Sequence, residues 1–129
     1  MTGRLVITLV AGFAALAAAA VDAAPVRTGH VDAELIAQKT AFVPGADNVV
    51  ALRLRLDKGW HTYWRNPGDS GEAPKLTWTL PSGWKAGEFV WATPKALPFG
   101  PLTNYGYSGE VILPVPIEVP AGAKPGPAT

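Results

Sequence analysis

The chain has 129 residues, a net charge of +1, no cysteine and no block of like charge. That length limits it to one domain, and the even charge argues against a surface built for nucleic acid or an anionic membrane. Without cysteine the chain has no disulfide framework, no thiolate metal site and no thiol chemistry of its own.

Arg4 is the only charge before Asp22, and it precedes an apolar run from Leu5 to Ala20. A basic start, an apolar stretch and small residues at Ala18, Ala20, Val21 and Ala23 are the pattern of a cleavable signal peptide. A membrane anchor needs roughly 20 strongly apolar residues, and much of this run is alanine. Cleavage is expected after Ala23, because a cut after Ala24 would place Pro25 beside the scissile bond. The expected organisation is a signal peptide over residues 1–23 and one domain over residues 24–129.

In that domain, short apolar runs are punctuated by scattered proline and glycine, the pattern of an all-β chain. Val31 to Gln38 alternates weakly, and Phe42-Val43-Pro44-Gly45 turns the chain. Val50, Leu52, Leu54 and Leu56 share one face of the clearest strand, with Arg53 and Arg55 on the other. Short strands are predicted at Trp60 to Trp64, Leu76 to Leu80 and Glu88 to Trp91. The last runs from Val111 to Val119, where Pro114 and Pro116 point to an edge or to pairing on one side only. Nothing after residue 24 keeps a helical period for three turns, so a β-sandwich is expected. The closing residues 121–129 read as a linker or frayed end.

Few residues carry chemistry. Trp64, Trp78 and Trp91 are expected to fill the core, while Trp60, Tyr63, Tyr105 and Tyr107 are candidates for a recognition surface. Asp69 and Glu72 supply only two carboxylates to the segment Asn66 to Glu72, too few for calcium, so it reads as a turn. His30 and His61 are the only histidines and have no cysteine to join them in a metal site. Ser70, His61 and Asp69 could be drawn as a hydrolase triad, but no nucleophile elbow accompanies them. No catalytic residue, metal or cofactor is assigned.

Three longer stretches say more. Gly59-Trp60-His61-Thr62-Tyr63-Trp64-Arg65-Asn66-Pro67-Gly68-Asp69-Ser70-Gly71, then Leu80-Pro81-Ser82-Gly83-Trp84, then Gly100-Pro101-Leu102-Thr103-Asn104-Tyr105-Gly106-Tyr107 together resemble the amino-terminal periplasmic domain of the DsbD and ScsB thiol:disulfide interchange proteins. The likeness spans roughly His30 to Thr129 and is nearer the ScsB branch. It implies an immunoglobulin-like β-sandwich, set ahead of a membrane domain and a thioredoxin-like domain in a longer, inner-membrane-tethered parent. It also implies a periplasmic location, periplasmic thioredoxin-like partners, and transfer of electrons by thiol–disulfide exchange.

The resemblance further implies a cap loop at Leu102, Thr103, Asn104, Tyr105 and Gly106, tipped by Asn104 and Tyr105, with Trp60 and Tyr63 matching aromatics beside the family's active site. The family's cysteine pair lies in strands beyond the last one present here. The sandwich is therefore expected to be incomplete at its carboxyl end and redox-inactive. The alternatives are a cysteine-free periplasmic adaptor and a carbohydrate-binding β-sandwich.

Overall fold

The computed structural model describes residues 9–10, 24–39 and 41–123. The signal-peptide reading falls almost wholly outside them, as does the end of the tail, residues 124–129. The described chain forms β1 (Leu9–Val10), β2 (Val26–Thr28), β3 (Val31–Ala37), β4 (Asp47–Leu56), β5 (His61–Gly68), β6 (Trp78–Thr79), β7 (Lys85–Ala86), β8 (Lys95–Phe99), β9 (Leu102–Ser108) and β10 (Glu110–Glu118), and the described residues include no helix. β1, which lies within the expected leader, pairs in parallel with β6.

One sheet has the order β2-β3-β4-β10-β7 and the other β5-β9-β8. The first is organised by β4 and β10, whose alternating patterns coincide in register. Val111 pairs with Leu54, Leu113 with Leu52 and Val115 with Val50, and all six are buried. With Leu35 of β3 they make an aliphatic interior, joined by Tyr107 from β9 of the facing sheet. At one end of the sheet the outward positions carry charges matched across strands, with Arg53 donating to Glu34 at 2.7 Å and Arg55 to Glu110 at 3.0 Å. Such pairs set register more than they stabilise.

The prolines of β10 explain its asymmetry. β10 is interior to its sheet, with a nine-residue ladder to β4 but only two paired residues on the β7 side. On that sparse side the carbonyls of Pro116 and Pro114 accept from Gly87 N at 2.8 Å and Val90 N at 2.7 Å. Proline accepts but cannot donate, so no regular ladder forms there. For that reason the strand expected at Glu88 to Trp91 is an irregular extended segment. Of the strand expected at Leu76 to Leu80, only Trp78–Thr79 is strand.

Two expectations about aromatic and turn residues also change. Trp64, Trp78 and Trp91 are only partly buried and pack at the rim of the core, not in its centre. The segment around Gly100-Pro101 is a tight hairpin turn between β8 and β9, with Phe99 opposite Leu102 and Gly100 at φ +57°.

Candidate functional site

The three-stranded sheet gathers most of the residues singled out in the sequence. Thr62 of β5 pairs with Tyr107 of β9, and Tyr107 faces the core, its hydroxyl donating to Ala92 O at 2.8 Å. Burial pushes the Tyr107 phenol pKa up. Alternation turns Tyr63 to the opposite face, yet it is 6 % exposed. Its cover is the chain just past β5. Gly71, at φ +91°, lies so close that a Cβ there would overlap the Tyr63 ring. The Tyr63 hydroxyl meets His61 Nε2 at 3.2 Å, with the two rings edge-on. Burial lowers the His61 pKa.

The same loop is fastened to β9 by four hydrogen bonds. Asp69 N donates to Thr103 O at 3.1 Å, and Thr103 N donates to Asp69 Oδ2 at 2.7 Å. Ser70 N and Ser70 Oγ both donate to Asn104 Oδ1 at 3.0 Å. Asp69 is thus engaged in holding backbone; of the segment expected to be a turn, Asn66 to Gly68 belong to β5 and only Asp69 onward leaves the sheet. No group of three or more metal-ligating side chains occurs among the described residues.

The segment expected to form the cap has a defined place in this geometry. Leu102 to Gly106 is not a loop: all five residues lie in β9, the central strand of its sheet. Asn104 is 2 % exposed, with its side-chain oxygen turned to Ser70 of the strap. Gly106 admits no side chain, because a Cβ would run into the Thr62 carbonyl of β5. Tyr105 is exposed at the far end of the inner face, edge-on to Trp64 at 6.5 Å between centroids.

Trp60 is not brought to this cluster. It lies at the opposite end of β5, where its ring stacks on His30 at 3.8 Å and 11°. His30 Nδ1 contacts Asp57 Oδ2 at 3.2 Å, and Arg27 donates to Asp57 and Asp32. The Arg27 guanidinium, with His30 adding to it, holds the Asp57 carboxyl below its ordinary value. Trp60 and Tyr63 therefore belong to two separate places.

The most exposed ring among the described residues has no counterpart in the sequence reading. Phe99 is 69 % exposed and pairs across the hairpin with Leu102, 37 % exposed. An apolar residue on either side of Gly100-Pro101 was the available signal. Pro98 masks that signal, because it interrupts β8 and keeps it from reading as a strand.

Chemically, these surfaces can position and bind. The chain has no thiol. Among the described residues, no helix is long and apolar enough to cross a membrane.

The N-terminal family of the thiol:disulfide interchange protein DsbD matches residues 32–128. Among solved structures, the N-terminal periplasmic domain of ScsB from Proteus mirabilis is 28% identical with a TM-score of 0.62, over 77% of this chain and 39% of that one. The chain therefore spans about two-fifths of the solved chain's length. No curated protein matches it. The match runs from β3 through β10 and takes in strands of both sheets, and the chain belongs to the DsbD N-terminal domain family.

Proposed function

We propose that this chain is a periplasmic docking portion of a thiol:disulfide interchange protein, holding partners without carrying electrons itself. The observation that carries the reading is the family match over residues 32–128 in a chain with no cysteine. Exchange needs a thiolate to attack and a sulfur to receive, and this chain supplies neither. What it does offer a thioredoxin-like partner is the β8–β9 hairpin. Phe99 and Leu102 are exposed on its outer face, and the strap from Asp69 to Gly71 stiffens β9 behind them. Exposed apolar side chains on a rigid turn suit docking better than a mobile segment would, because less order is lost on binding. The Arg4, Leu5–Ala20 and Ala23 pattern supports export.

The test mixes the purified chain with a thioredoxin-fold protein and separates covalent from non-covalent association. No reductant-sensitive adduct should form. A non-covalent complex should be seen by heteronuclear NMR, with shifts at Phe99 and Leu102 and about a fivefold or greater loss of affinity in Phe99→Ala. Shifts confined to other surfaces, or none at all, would remove the docking reading.

A further inference from the structure

A groove of about 630 Å³ opens between the segment after β5 and the segment after β7. Leu76 and Trp78 form one wall and Phe89 and Trp91 the other, over a floor at Val115. All four wall residues are only partly buried against the core. The size falls in the range of ligand sites, about 300–1,000 Å³.

Two further observations say what would fit. Arg65 and Lys75 line the groove. Both are exposed, and neither forms an ion pair among the described residues. Arg65 is steadied over the Trp64 ring at 5.1 Å. Glu88 is the single carboxylate in the lining, so the groove carries an excess of positive charge. The backbone of residues 72–76 along one wall lies outside any strand and makes no hydrogen bond among the described residues; Pro74 at its centre has no N–H, so Ala73 and Lys75 supply the donors beside it. An unpaired run of this sort is a template for another strand. A small apolar anion would use the rings and the cations but would leave those amides and carbonyls idle.

We propose that this groove binds an extended acidic polypeptide segment, which pairs with Ala73 and Lys75 on either side of Pro74, inserts an apolar side chain between Trp78 and Trp91, and sets its carboxylates against Arg65 and Lys75. The site is separate from the β8–β9 hairpin, so it can stand or fall independently of the docking function proposed above.

The experiment uses the 129-residue chain and a fluorescein-labelled octapeptide alternating Val or Phe with Glu, beside a twin carrying Lys in place of Glu. Anisotropy should show saturable binding of the acidic peptide, with the Lys twin at least about tenfold weaker. Arg65→Glu and Lys75→Glu, at exposed positions and checked for native near-ultraviolet circular dichroism, should each weaken it by about fivefold. Backbone amides in residues 72–76 should gain protection from hydrogen exchange when the peptide is bound. No saturation by about 1 mM, equal binding of the two peptides, or unchanged exchange at residues 72–76 would overturn the proposal. So would anilinonaphthalene sulfonate filling the groove without competition from the peptide, which would assign it to a small anion.

Discussion

Asn104→Ala distinguishes an anchored strand from a mobile cap. The Asn104 side chain is buried, and its Oδ1 accepts two hydrogen bonds of 3.0 Å, from Ser70 N and Ser70 Oγ. A net contribution of about 0.5–1.5 kcal/mol per bond gives roughly 1–3 kcal/mol for the pair. Ser70 is exposed, so water can replace the lost acceptor, and the lower half of that range, about 1–2 kcal/mol, is expected. For a domain of this size about 1 kcal/mol shifts Tm by roughly 4–8 °C, so the melt should move by about 5–12 °C. Thermal unfolding by circular dichroism measures the shift, and hydrogen exchange at the Ser70 amide reports whether the strap has come loose. A loss below about 0.5 kcal/mol, the scale of a neutral surface substitution, with Ser70 exchange unchanged, would refute the anchor and restore a mobile cap.

Further outcomes are expected elsewhere. Gly71→Ala, at φ +91° and with its new Cβ against the Tyr63 ring, should cost at least about 2 kcal/mol in urea unfolding. Gly29→Ala, at φ +59° in open space, should cost only about 1 kcal/mol, and equal losses would show that the ring contact is immaterial. Tyr105→Ala removes a ring that is 39 % exposed and should cost about 1–2 kcal/mol, below the 3–5 typical of a buried ring. For His61 the folded pKa lies below the ordinary 6.5 because burial disfavours the charged ring. Its contribution is therefore present above pH 6.5 and is lost as pH falls through 6.5 towards the lowered folded value. His61→Gln should flatten the pH dependence of Tm in that window, and identical profiles for the two proteins would sink the assignment.

The parts of the fold legible in the sequence were those with an unbroken period of two. Val50 to Leu56 and Val111 to Val119 each keep one face apolar, and the structure pairs them in register. β8 and β9 were illegible for opposite reasons. Pro98 breaks the pattern of β8. In β9 the buried positions are filled by Asn104, Gly106 and Tyr107, which no hydropathy pattern marks as interior. Their burial comes from the strap over the outer face and from the close approach of β5 at Gly106, both tertiary contacts between segments more than 30 residues apart.

The same physics explains why the strand conformation of Leu102 to Gly106 is not legible from local sequence. An Asn beside a Tyr, flanked by glycines, has the composition of a loop, and composition alone cannot say whether the glycines permit a turn or a close strand. Gly100 serves the first purpose and Gly106 the second. Gly100 has a positive φ and nothing within contact distance of a Cβ, while Gly106 lacks a positive φ and has the Thr62 carbonyl where its Cβ would be. One glycine is therefore required by backbone angle and the other by space. Only the second ties Tyr63 to β9, so the rigidity behind the exposed hairpin depends on Gly106, which local sequence gives no means of telling from Gly100.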